Sequence, residues 1–174
     1  MNRRKMLSSS TFSTVMAIAG LNGAGALYLT RLARAAMPSS SGVPYRVTHT
    51  DAEWRKILSP AAYDVLRQAG TEAPFTSPLL HEERQGIFGC AGCALPLYSS
   101  ATKFDSGTGW PSFWDHLPHA VLTSDDNSFD MDRTEVHCSQ CGGHLGHVFP
   151  DGPRPTGLRY CMNGVALSFT PRTV

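Results

Sequence analysis

The chain has 174 residues, 41% of them hydrophobic, and a formal charge of +1. This is the size of one ordinary globular domain, able to bury roughly two thirds of its unfolded surface, and it leaves no room for a second full domain. Arg3, Arg4, Lys5, Arg31 and Arg34 stand in the first 35 residues without an acid, so the remainder holds 10 basic against 14 acidic residues, which excludes nucleic acid as the main partner.

Residues 1–35 read as a targeting segment. "NRRKML" carries a pair of arginines, no charged residue occurs from Met6 to Thr30, and "ARA" before Ala36 offers a small-residue cleavage site after the apolar run "VMAIAGLNGAGALYL". The pair resembles the twin-arginine export signal of bacteria, which implies a periplasmic protein. Left uncut, the segment would anchor the chain in the membrane, facing the periplasm, although its Ser, Thr, Gly and Asn content makes a weakly apolar span. Residues 36–48, with the turn formers "PSSSGVP", form a linker, and the folded domain is expected over 49–174.

"THTDAEWRKILS" opens with a capping-box pattern, Thr50 with Glu53, and an apolar stripe of Trp54, Ile57 and Leu58. "SPAAYDVLRQAG" supplies Ser59 as N-cap, Pro60 at the first helical position and Gly70 past the end. Two short helices follow from these patterns. From Thr71 on, Gly, Pro, Ser and Asp punctuate the runs "GIFGC", "LPLYSS", "AVLTS", "TEVHC", "HLGHVF", "GLRYC" and "GVALSF", which predict short antiparallel strands. The expected fold is mainly β, with two small helices at its front.

Four of the five cysteines form two Cys-x-x-Cys pairs, Cys90 with Cys93 and Cys138 with Cys141, 44 residues apart. Two thiolates on one tight turn can face one ion, and two such turns complete a tetrahedral sulfur cage for a single structural Zn²⁺. With four thiolates the ion has no open position, so catalysis lies elsewhere. Two disulfides are the alternative for an exported chain, and a redox-active dithiol is a second, although neither pair opens a βαβ pattern.

Cys161 remains unpaired. In an extended strand Arg159, Cys161 and Asn163 share one face, an electropositive setting that favours thiolate. Trp110 stands in the Gly-rich loop "FDSGTGWPSF", and His144 and His147 stand in "GGHLGHVFPDG". A nucleophile, candidate acids and an aromatic wall in one small domain point to a reactive site. The catalytic candidates are Cys161, His147, His144 and Asn163, and the substrate-contacting candidates are Trp110, Arg159 and Phe149.

"GTEAPFT", "CAGCALPLYSSATKFDSGTGWPSF", "EVHCSQCGGHLGHVFPDGP" and "PTGLRYCMN" follow one another over about Trp54 to Phe169, and in that order they resemble the signature blocks of the methionine-R-sulfoxide reductases. The resemblance implies two antiparallel sheets, a structural zinc site of four cysteines and thiol-based reduction of the R epimer of methionine sulfoxide, free or in proteins. It further implies that Cys161 is the nucleophile, that Cys90, Cys93, Cys138 and Cys141 are zinc ligands, and that the Trp110 indole receives the S-methyl group. His144, His147 and Asn163 would then surround the sulfoxide oxygen. The chemistry agrees, because a sulfoxide sulfur is electrophilic only when its oxygen is polarised or protonated, which histidine can do near neutral pH. The expected product at the enzyme is a Cys161 sulfenic acid.

Many members of that family carry a second, resolving cysteine where this chain has Thr108. Here regeneration is expected to need an external thiol, from a thioredoxin-like protein or a small molecule. Ala94 stands where Gly is common, and Gly164 where Ser is common. The competing reading is a non-catalytic zinc-ribbon-like module that binds a protein partner through Trp110 and its neighbours.

Overall fold

The computed structural model describes residues 45–128 and 131–173; the targeting segment and the linker up to residue 44 lie outside them. Helix α1 spans Asp51–Ile57 and starts on the expected capping box, with Glu53 N–H donating to Thr50 Oγ1 at 3.3 Å and Thr50 N–H donating to Glu53 Oε2 at 2.8 Å. Helix α2 spans Pro60–Gln68, capped by Ser59 Oγ accepting from Ala62 N–H. Two details differ from the sequence reading. The left-handed residue that ends α2 is Ala69, at φ 53°, with Gly70 one place further on. Of the apolar stripe, Trp54 and Leu58 are buried, while Ile57 is 55% exposed. Among the described residues no helix is long and apolar enough to cross a membrane.

Among the described residues nine strands follow: β1 Gly86–Cys90, β2 Pro96–Ser99, β3 Lys103–Phe104, β4 Ser112–Phe113, β5 Val121–Asp126, β6 Arg133–Cys138, β7 His144–Phe149, β8 Arg159–Met162 and β9 Leu167–Pro171. They form two antiparallel sheets, one ordered β2-β1-β9 and the other β3-β4-β8-β7-β6-β5. The mainly β fold is therefore as expected, with corrections in detail. "GVALSF" is not one strand, because Gly164–Ala166 makes a 3-10 turn before β9 begins. The two-residue strands β3 and β4 have too little sequence for an alternating pattern.

The core lies between the sheets. Phe88 and Tyr98 of the small sheet meet Phe113, Tyr160 and Met162 of the large one: Tyr98 stacks on Phe113 at 4.4 Å between centroids, Phe88 meets Phe113 edge-on at 5.0 Å, and Tyr98 O–H donates to Met162 Sδ at 3.0 Å. Each buried side chain of this size contributes about 1.5–3 kcal/mol by removal from water. Strand β8 shows what this packing does for the site. Tyr160 and Met162 are buried in the core, so alternation sends Arg159 and Cys161 to the opposite, more open face.

Candidate active site and thiol cage

The two Cys-x-x-Cys stretches are the turns of two hairpins, β1–β2 in the small sheet and β6–β7 in the large one. In each turn the residue after the second cysteine is left-handed, Ala94 at φ 57° and Gly142 at φ 68°. Its N–H donates back to the first cysteine's carbonyl, from Ala94 to Cys90 at 2.8 Å and from Gly142 to Cys138 at 2.9 Å. The four sulfurs converge: Cys90 to Cys141 is 3.7 Å, Cys93 to Cys138 is 3.5 Å, and all four lie within 4.8 Å of one another.

A tetrahedral ion with metal–sulfur bonds of about 2.3 Å sets its ligands about 3.8 Å apart, whereas a disulfide requires about 2.05 Å. The cage therefore has the dimensions of a metal site, and its four sulfurs could hold one metal ion. The alternative of two disulfides does not match, since all four cysteines are free. The bound group would supply a cross-link between the sheets. Helices α1 and α2 close over it, with Trp54 and Leu66 against Gly92 and Leu66 also against Gly143. Arg67 Nη1 donates to Cys141 O at 3.1 Å.

A second constellation lies on the open face of the large sheet. The strand registers align Ser124, Glu135, His147, Cys161 and Ser112 in one row across β5, β6, β7, β8 and β4. Residues opposite one another in adjacent strands share a face, so the register alone brings His147 beside Cys161. His144 stands three places before His147 and in a regular strand would point the other way. A bulge prevents this: Val136 pairs with Gly146 and His137 with His144, leaving Leu145 as the extra residue. The two imidazoles thereby sit on one face, 5.4 Å apart between centroids. Gly146 is required there, because a β-carbon would lie 2.1 Å from Cys161 O.

Carboxylates the sequence reading passed over hold both rings. Glu135 Oε1 accepts from His144 Nδ1 at 2.7 Å, and Asp126 Oδ2 accepts from His147 Nε2 at 2.8 Å and from Arg133 Nη2 at 2.7 Å. The imidazoles of His137 and His144 keep the Glu135 carboxyl well below the usual carboxylate range. Hydrogen bonds from Ser128 and then His147 do the same for Asp126. For His147 burial dominates and lowers its pKa below the ordinary imidazole value, with the Asp126 bond opposing and Arg133 and His144 reinforcing.

Arg159 is on the Cys161 face as expected, but its guanidinium is chelated by Asp151 at 2.9 and 2.8 Å and lies over the Phe149 ring at 4.4 Å. Asn163 differs from expectation. It lies one residue beyond β8, buried, and spends its side chain on backbone, accepting from Glu72 N–H at 2.8 Å and donating to Leu145 O at 3.1 Å. The expected thiolate-favouring setting is also corrected. Burial pushes the Cys161 thiol above its ordinary value, outweighing a Thr108 hydrogen bond, the Arg159 charge and a Ser112 hydrogen bond.

Glu72 also went unnoticed in the sequence. Its carbonyl accepts from Trp110 Nε1 at 2.9 Å and its carboxylate accepts from Gly164 N–H at 2.6 Å. It thus ties the Trp110 loop to the turn after Cys161, and Phe75 N–H to Gly109 O at 2.8 Å adds a second tie. "GTEAPFT" as a signature block was the only available sign of this role.

Fold and site together define a two-sheet β protein with a cage of four thiols at one place and a fifth, Cys161, beside histidines at another. The SelR domain family matches residues 58–171. A protein of Leifsonia xyli named peptide methionine sulfoxide reductase MsrB is 55% identical over 129 residues, 73% of this chain and 93% of the relative. Proteins of the same name from Agrobacterium fabrum and Methanosarcina mazei are each 52% identical, over 72% of this chain and 94% and 90% of their own lengths. The chain belongs to this family, the MsrB peptide methionine sulfoxide reductases, and is an oxidoreductase.

Proposed function

We propose that the protein reduces the R epimer of methionine sulfoxide, free or within proteins, with Cys161 as nucleophile. The Cys161 thiolate attacks the sulfoxide sulfur while His147, flanked by His144, protonates the oxygen. The oxygen passes to Cys161, the substrate sulfur gains two electrons and departs as methionine, and Cys161 becomes a sulfenic acid. Asn163 acts through the backbone it holds. Trp110 offers an apolar face to the methyl group, with Phe149 and Arg159 at the rim of the site. The observation that carries this reading is the strand register setting His147 directly opposite Cys161.

Regeneration consumes two external thiol groups: the first displaces water from the sulfenic acid and forms a mixed disulfide, and the second releases Cys161. A thioredoxin-like protein or a small thiol would supply them. The ion of the cage is Zn²⁺, structural, held by Cys90, Cys93, Cys138 and Cys141. Residues 1–35 direct the chain to the periplasm as a twin-arginine-type signal, or anchor it facing the periplasm if uncut; 36–48 is the linker and 49–174 the reductase domain. Protection of exported proteins from oxidation follows from that location.

The test is an assay with separated R and S epimers of a methionine sulfoxide peptide, comparing wild type with Cys161→Ser. Reduction of the R epimer alone, abolished in the variant, is expected. Activity that survives the substitution, or a preference for the S epimer, overturns the reading.

A further inference from the structure

Cys161 Sγ faces a cluster of three hydroxyls. Thr108 Oγ1 lies 3.8 Å from the sulfur. Ser112, the register partner of Cys161 across β4 and β8, is fully buried on the strand beside the sulfur. Ser106 Oγ bridges the two, 2.8 Å from Thr108 Oγ1 and 2.7 Å from Ser112 Oγ. The Arg159 guanidinium on the same face adds its charge but is chelated by Asp151.

Each hydroxyl has one proton to give and lone pairs to receive. With Cys161 as a thiol, the protons run in one direction: S–H to Thr108, Thr108 to Ser106, Ser106 to Ser112, and Ser112 to the Trp110 carbonyl at 3.1 Å. Every proton then has an acceptor. A thiolate has no proton to give, and the same atoms serve it by rotation alone. Thr108 and Ser112 turn their protons onto the sulfur, and Ser106 donates to one of them. No heavy atom moves.

We propose that Thr108 is a catalytic residue: together with Ser112 it donates to the Cys161 thiolate that attacks the sulfoxide, while Ser106 holds both hydroxyls in place. The role rests on the reading of Cys161 as the nucleophile. It gives Thr108 a function of its own at the position where many relatives hold a second cysteine. A cysteine there offers only a weak S–H donor, whereas a hydroxyl is the stronger donor to an anion. The threonine thus forgoes internal disulfide formation and stabilises an otherwise disfavoured buried thiolate.

The test is the rate of Cys161 alkylation by iodoacetamide as a function of pH, on the full-length protein, with the labelled site confirmed by peptide mapping. Thr108→Val is expected to raise the apparent ionisation of Cys161 by about one pH unit, making alkylation below that pH about tenfold slower. Thr108→Ser should follow the wild-type profile, and Ser106→Ala should give part of the shift. The proposal is overturned if Thr108→Val superposes on wild type, or if Thr108→Ser shifts as far as Thr108→Val, which would assign the effect to side-chain bulk. Sulfoxide reduction, measured in parallel, separates the two ideas. An unshifted alkylation profile with intact R-epimer reduction removes the hydroxyl role alone, and a shifted profile without reduction by the wild type removes the role of Cys161 in the reaction.

Discussion

A β-carbon placed on Gly164 would lie 1.7 Å from Ser77 Oγ and 2.5 Å from Ser77 Cβ, so rotating the serine cannot relieve the contact. Ser77 is buried, and its Oγ accepts from Leu79 N–H at 3.1 Å. Gly164→Ser alone should therefore destabilise the protein by about 1–3 kcal/mol through overpacking. Ser77→Gly alone should cost about 1 kcal/mol through the lost hydrogen bond. Combined, the two should recover most of the loss, with a coupling of about 1–3 kcal/mol in urea unfolding; simple additivity would show that the contact has no energetic weight. The serine common at this position in the family that the sequence resembles thus meets, in this chain, a residue 87 positions earlier. Such long-range pairs are not legible along a chain. Cys161 was legible because the four cage cysteines left it over. Glu72 was not, because its partners Trp110, Asn163 and Gly164 are 38 to 92 positions away.

At the scale of elements, the bulge in β7 converts a spacing of three into a shared face for His144 and His147. Gly146 within "HLGH" is its sequence sign, but only the register of β6 against β7 shows that the extra residue is Leu145. The carboxylates were hidden for the same reason, since Asp126 reaches His147 across two strands. The groups facing His147 include Asp126, Arg133, His144, Glu135 and Cys161, and their net effect sets a pH dependence. The proposed reaction needs an imidazolium at His147, whose pKa is lowered, and a thiolate at Cys161, whose pKa is raised. The product of those two fractions rises up to the His147 pKa, stays level, and falls above the Cys161 pKa. Asp126 raises the His147 pKa, so Asp126→Asn should move the acidic inflection of kcat/KM to lower pH. The plateau should drop about tenfold for each unit moved. An inflection that stays in place, or moves to higher pH, removes His147 as the proton donor.

On the scale of the whole molecule, the cage and the reactive row hold different positions in one architecture. The row is built entirely on the large sheet, whereas the cage takes one turn from each sheet and is roofed by both helices. The strands themselves were mostly legible, because five- and six-residue runs between turn formers carry a β pattern. Their pairing was not, since β1 lies between β2 and β9 from the far end of the chain. The 44-residue gap between the cysteine pairs, long for a local zinc ribbon, is the sequence trace of two hairpins in two sheets. Without an ion the cage would leave thiols beside one another with no shared partner, and the sheets would lack that link at the end where the helices rest. Binding free energy at such a site is folding free energy. Extraction of the metal by a chelator should therefore lower Tm by on the order of 10 °C or more. Trp54, packed against the cage at Gly92, should shift its fluorescence toward the solvent-exposed value as the ion leaves. Elemental analysis should give one zinc per chain beforehand and none afterwards. A Tm and a Trp54 environment unchanged in metal-free protein would show that the hydrophobic contacts between the sheets suffice without the cage.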